Sequence, residues 1–271
     1  MTQKDIPNCF LPVTQLSEKL EKGGLSSLEL IEEYLERIRK HDRNLGAFID
    51  VYEEEARKAA SASDMARASG HIIGPLQGIP VAVKDIIDIE GKITTGGSRV
   101  WKDRRSSLTA TLVRRMVEAG MIVLGKTHTV EFAMGSFGTN QHMGSPKNPW
   151  DLEEHRATGG SSAGTAAAVA AGLSPWGIGT DTGGSVRIPS AWCGLTGLKT
   201  SVGRISTHGV LPLSHTLDTP GPMCRSVEDA AILYRILAGP DEQDSRTVIH
   251  SVEDPFPELK KGISGFKLAR V

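Results

Sequence analysis

Apolar residues recur at helical spacing after Ser26: Leu30, Ile31, Tyr34, Leu35 and Ile38 fall on one face, and Glu33 with Arg37 makes an i,i+4 pair on the other. Ser26 followed three residues later by Glu29 has the form of a capping box, so the pattern predicts a helix over about 27–40. A second, Ala-rich and charged stretch over about 52–69 ends at Gly70 and reads as a helix solvated on one side. The period then changes. GIPVAVKDIIDIEG, residues 78–91, is β-branched and apolar between glycines, as expected of a strand covered on both faces.

Leu112, Val113, Met116 and Val117 form the stripe of a helix over about 109–119, with Thr109 as the expected cap and Gly120 at its end. MIVLGKT, 121–127, follows as a strand. Residues 135–160 are rich in Asn, Pro, Gly and His and read as loop; 162–172 form an Ala-rich helix able to pack very close to a neighbour. Ser226 with Asp229 opens a helix carrying Val227, Ala230, Ala231, Leu233, Tyr234 and Leu237, which stops at Gly239-Pro240. GFKLARV, 265–271, reads as an incoming buried strand of a chain that continues further. The alternation of strand and helix points to an α/β layered fold, with no tandem repeat or interdomain linker.

Composition adds mainly exclusions. The 31 Lys plus Arg residues against 32 Asp plus Glu, a net of -1, give no global electrostatic case for a nucleic-acid or membrane-surface partner. MTQKDIPNCF lacks the apolar core of a signal peptide and the longest apolar run, around Ala166–Ala171, is far short of a bilayer span, so a cytoplasmic protein is expected. Cys9, Cys193 and Cys224 are widely spaced and odd in number, which speaks against a disulfide framework or a structural zinc site and for small buried hydrophobes.

The chemistry concentrates in TGGSSAGTAAAVAAGLSPWGIGTDTGGSVRIPS, residues 158–190, where two Gly-Gly-Ser turns flank a run of small residues. Such turns leave N–H groups free to curl around a ligand oxygen. A phosphate loop would need the Lys-Ser/Thr ending of GxxxxGK[ST], which is missing, and GTDTGGS is no GxGxxG fingerprint. A serine nucleophile needs a base and an oxyanion hole. Lys84, in the middle of the apolar VAVKDIID, is the unusual candidate base, with a strand-end lysine reaching water as the ordinary alternative. His128 and Glu131 have the spacing of two ligands on a helix face, but two groups make no metal site, and His142, His155, His208 and His215 form no Ser-His-Asp pattern.

These segments together resemble the amidase signature family, which hydrolyses amides with a Ser-Ser-Lys triad. GIPVAVKDIID, EFAMGSFGTN with NPWD, GGSSAGTAAAVAAG, GIGTDTGGSVRIPSAWCGLTGLKTSVGR and LDTPGPMCRSVEDAA are similar to its segments, in the same order. The resemblance implies Lys84 as base, Ser161 as bridging serine after a cis peptide, and Ser185 as nucleophile; the 24 positions from 161 to 185 agree with the family and select Ser161 over Ser162. The backbone N–H groups of Thr182, Gly183, Gly184 and Ser185 are the expected oxyanion hole, with Gly160, Ser162, Asp181 and Arg187 in support. A free lysine would be neutral in only about one molecule in 2,500 at pH 7, so burial among Val81, Val83 and Ile86 must lower its affinity for a proton, and Asp85 would oppose this if its carboxylate pointed the same way.

The resemblance implies a single α/β/α domain over 1–271, a mixed twisted sheet between helices, with N-terminal helices in about 1–70 and the signature core in about 76–225. It implies no metal or organic cofactor and a small-molecule amide substrate. Ala163 and Thr165 stand where the family often has Gly and Ser, and the chain is short for the family, so it is expected to be the N-terminal part of a longer domain, lacking part of the sheet and acyl pocket. General amidase is the main expectation. The glutaminase component of a tRNA-dependent amidotransferase, with partner subunits, and a catalytically incomplete fragment are the alternatives; a homo-oligomer stays open.

Overall fold

The computed structural model describes residues 6–247, 252 and 254–267. The two N-terminal helices, α1 (Val13–Glu21) and α2 (Ser27–Leu45), precede a short strand β1 (Phe48–Val51) and helix α3 (Glu53–Ala68). The capping box at α2 is complete: the Ser26 hydroxyl accepts from Glu29 N–H at 3.1 Å, and the Glu29 carboxylate accepts from Ser26 N–H at 2.8 Å. α2 runs five residues past the predicted end and stops where Gly46 turns left-handed (φ 66°). Ser26→Ala is expected to destabilise the fold by about 1 kcal/mol, read as a lower urea midpoint at unchanged m-value.

The centre is a six-stranded mixed sheet in the order β1-β3-β2-β4-β6-β5. Its inner strands β2 (Pro80–Lys84), β3 (Ile122–Thr127) and β4 (Gly177–Asp181) run parallel, while β1 and β6 (Thr219–Cys224) pair antiparallel at either side and β5 (Thr196–Gly197) closes the edge. Every residue of β2, β4 and β6 is buried, as the unalternating apolar run of β2 requires of a strand covered on both faces. Helices α4 (Thr111–Glu118), α5 (Ala163–Ala170), α6 (Arg187–Cys193) and α7 (Val227–Leu237) pack around this sheet, and α8 (Phe256–Leu259) follows. Among the described residues no helix is long and apolar enough to cross a membrane.

Three local expectations change. β2 ends at Lys84 rather than running on through Ile89, because Ile86 and Ile87 turn back to donate to the Lys84 carbonyl. Thr109 does not cap α4: the helix begins two residues later, and the Thr109 hydroxyl accepts instead from Glu90 N–H at 3.0 Å. Of the strand expected over 265–271, residues 268–271 lie outside the described residues, and 265–267 form no strand.

α5 meets the sheet as closely as its composition suggests. A Cβ on Gly164 would lie 2.3 Å from the Ala47 carbonyl oxygen and 2.4 Å from His128 N, so only glycine fits there. That contact seats the start of α5 against the carboxyl end of β3 and the entry to β1. The three cysteines are buried and unpaired, with burial pushing the Cys193 thiol up to about 12.

Candidate active site

The carboxyl ends of parallel strands are where an open α/β sheet leaves a crevice for ligands. Here β2 delivers Lys84 and β4 delivers Thr180 and Asp181 to one end, and the turn into α5 brings Ser161 and Ser162 over them. Lys84 does not reach water. It is fully buried, with Nζ 2.7 Å from Ser161 Oγ and 2.8 Å from Thr180 Oγ1, and no carboxylate among the described residues pairs with it. Burial is the main influence on the amine and lowers its pKa from 10.5 to about 7, against the weaker upward pull of the Asp181 and Asp218 carboxylates.

Asp85, next in sequence, does not work against this arrangement. Its carboxylate is directed to Lys126 on β3, whose Nζ lies 2.7 Å from Asp85 Oδ1 and 2.9 Å from Thr94 Oγ1, while Oδ2 accepts from Thr95 N–H at 3.0 Å and from the Thr95 hydroxyl. Adjacent strand positions point to opposite faces, which separates the two buried lysines: Lys84 is registered with Thr127, whose hydroxyl meets Thr165 of α5, and Lys126 is registered with Val83.

The Gly160–Ser161 peptide is cis. It is held from outside: Gly160 N–H donates to the Ser136 carbonyl at 2.7 Å, and the Ser161 carbonyl accepts from Val130 N–H at 3.2 Å and from the Thr129 hydroxyl at 3.1 Å. Ser162 stands at the N-terminal boundary of α5. Its hydroxyl lies 3.3 Å from both N and O of Thr180, and its N–H donates to the Ser185 carbonyl at 3.4 Å, tying the two Gly-Gly-Ser turns together. Ser185 is half-buried, in contrast to the fully buried Ser161, and its hydroxyl has no hydrogen-bond partner among the described residues.

Asp181 organises the second turn. Its buried carboxylate accepts two bonds from the Arg187 guanidinium (3.0 and 2.9 Å) and others from the N–H groups of Gly184 (2.8 Å), Val186 (3.1 Å) and Arg187 (3.3 Å). Burial acts to raise its pKa, and these donors outweigh burial and hold it below the ordinary carboxylate value. One consequence corrects the expected oxyanion hole: Gly184 N–H is taken by Asp181. The N–H groups of Thr182, Gly183 and Ser185 have no partner among the described residues, and Gly183 is exposed.

His128 and Glu131 do not share an α-helix; the Glu131 carboxylate faces His142 Nε2 at 3.6 Å. Three contributors escaped sequence reading. Thr180 is the second partner of Lys84, Lys126 is the partner of Asp85, and Asp218 accepts from the Thr182 hydroxyl. For Thr180 a signal was available: it lies two residues before Thr182 within GTDTGGS, on the strand that leads into the turn.

The chain has relatives among known proteins. The Amidase family model matches residues 29–271. A glutamyl-tRNA(Gln) amidotransferase subunit of Halorhodospira halophila is 44% identical over 256 residues, covering 94% of this chain and 52% of that protein. Among solved structures, a chain from a vestigial protein complex that bears on the evolutionary origins of an s-triazine catabolic enzyme superimposes with a TM-score of 0.90 at 38% identity, covering 94% of this chain and 56% of that one. The peptide amidase of Stenotrophomonas maltophilia superimposes with a TM-score of 0.83 at 38% identity, covering 90% and 51%. The chain spans about half the length of the curated relatives it matches.

Proposed function

The chain belongs to the amidase family, and from that premise we propose that it hydrolyses a carboxamide C–N bond through an acyl-enzyme on Ser185, with Lys84 as base and Ser161 as proton relay. The observation that carries this reading is the fully buried Lys84 amine, 2.7 Å from the Ser161 hydroxyl and with a pKa lowered to about 7. At neutral pH about half of the molecules then hold an uncharged amine, compared with about one in 2,500 for a free lysine. Lys84 Nζ donates to both hydroxyls when protonated; once uncharged it keeps an N–H for Thr180 Oγ1 and has a lone pair to turn to the Ser161 hydroxyl.

Ser161 passes a proton because a hydroxyl donates and accepts at once. The Ser185 hydroxyl, unpartnered in the free protein, turns to Ser161 when substrate binds; as its Oγ attacks the carbonyl carbon, its proton moves to Ser161 and the Ser161 proton to Lys84. The carbonyl oxygen becomes an oxyanion facing the N–H groups of Thr182, Gly183 and Ser185. Collapse breaks the C–N bond, the relay returns the proton to the leaving nitrogen, and ammonia or an amine departs. Water, deprotonated by the same relay, then clears the ester.

A fluorophosphonate probe tests the assignment directly, because it phosphonylates an activated serine without needing the natural acyl pocket. Label is expected on wild type, none on Ser185→Ala, and labelling at least a hundredfold slower on Ser161→Ala. Equal labelling of wild type and Ser185→Ala would overturn the nucleophile. A second reading, a cytoplasmic glutaminase that works with partner subunits, is favoured by the 44% identity to a component of a glutamyl-tRNA(Gln) amidotransferase. It is distinguished by ammonia release from glutamine that requires added partner.

A further inference from the structure

The start of β6 touches the oxyanion turn at two adjoining points. Thr219 is registered opposite Asp181, and its buried hydroxyl donates to the Asp181 carbonyl at 2.8 Å. The carboxylate of Asp218, only 7% exposed, accepts from the hydroxyl of Thr182. Asp218 is itself fixed, with Oδ2 accepting from Leu213 N–H at 2.8 Å and Ser214 N–H at 3.0 Å. The two contacts therefore bracket one peptide unit, the bond between Asp181 and Thr182.

In a trans peptide the carbonyl and the N–H point in opposite directions. The 181–182 peptide is not cis, so a carbonyl pinned toward β6 by Thr219 directs Thr182 N–H away from β6, where no group among the described residues takes it. Without the Thr182 hydroxyl contact the plane would be held at one end only.

We propose that Asp218 and Thr219 are positioning residues for the reaction: together they fix the plane of the Asp181–Thr182 peptide so that Thr182 N–H faces the developing oxyanion. This rests on the amidase reading above. The Asp181 and Asp218 carboxylates both favour the protonated form of Lys84, more weakly than burial opposes it. Arg187 holds Asp181, Asp85 holds Lys126 of β3, and α5 presents no charged side chain. His128, after β3, is kept below the ordinary histidine value by burial.

The test is the rate at which a fluorophosphonate phosphonylates Ser185, fluoride leaving as the Oγ–P bond forms, measured against pH on variants shown to be folded by circular dichroism. Asp218→Ala, Thr182→Val and the near-isosteric Thr219→Val are each expected to slow this step roughly tenfold by misplacing one donor. The double variant Asp218→Ala/Thr182→Val should be no slower than its slower parent, because both changes remove one contact. Asp218→Asn keeps an acceptor for the two N–H groups and should recover most of the rate.

Wild-type rates in Thr182→Val and Thr219→Val overturn the proposal. So does additive slowing of about a hundredfold in the double variant, or an Asp218→Asn protein as slow as Asp218→Ala. If wild type takes no label, the amidase reading fails by itself. The Thr182 amide resonance in NMR spectra then judges the inference: a shift in both Thr219→Val and Asp218→Ala supports it, and a resonance unmoved in both sinks it.

Discussion

Lys84→Met is expected to slow acylation of Ser185 by roughly 10^3-fold and, at the same time, to make the protein harder to unfold at neutral pH. The first effect follows from removing the base. In wild type the rate should rise with pH and level off around a midpoint of about 7, where Lys84 loses its proton; in Lys84→Met that rise should vanish. The second effect follows from linkage. The amine binds its proton more weakly in the folded protein (about 7) than in the unfolded chain (10.5). The unfolded state therefore holds more protons between these values, and stability increases with pH across that window.

The cost of burying Lys84 is complete below pH 7 and gone above about pH 10.5. At pH 7 it is about 4 kcal/mol. Losing the contacts with Ser161 and Thr180 offsets about 1 kcal/mol each, leaving a net gain of roughly 2 kcal/mol for the methionine variant. Urea unfolding at pH 7 and pH 10 checks the sign: the variant's advantage should shrink toward the higher pH and reverse there. Such a trade between stability and activity is the mark of a residue kept for chemistry. An advantage that stayed constant with pH would mean that Lys84 is not protonated differently in the two states.

The sequence made some of this site legible and hid the rest for physical reasons. Capping and stripe patterns placed α2, α3 and α7, because those helices each show one apolar face to the core and one polar face to water. The short strands β1 and β5 carry no such contrast in four and two residues. Lys84 and the serines stood out because a lysine inside an apolar run and paired Gly-Gly-Ser turns are locally unusual. Their partners did not. Thr180, Asp218 and Lys126 are ordinary in their own neighbourhoods and acquire meaning only when strands distant in sequence are laid side by side. The Gly184 N–H illustrates the same limit: GTDTGGS offers several peptide hydrogens, but it takes the fold to show that Asp181 captures one of them.

The second buried lysine should respond in the opposite sense to the first. Lys126→Met is expected to destabilise the protein by about 3–5 kcal/mol, because it strands the carboxylate of Asp85 with only the Thr95 N–H and hydroxyl as partners. Burial lowers the Lys126 pKa even against the attraction of Asp85, so the pair is held together under strong desolvation of both members. Exchanging both residues, Lys126→Met with Asp85→Asn, removes the stranded charge and should restore most of the loss. Urea midpoints for the two singles and the double measure this coupling; a Lys126→Met protein as stable as wild type would rule it out. The contrast between VAVK and VLGK then comes down to the face of the sheet. Lys126 meets a carboxylate, which works against the loss of its proton, whereas among the described residues Lys84 meets only hydroxyls, and burial brings its proton affinity down to about pH 7.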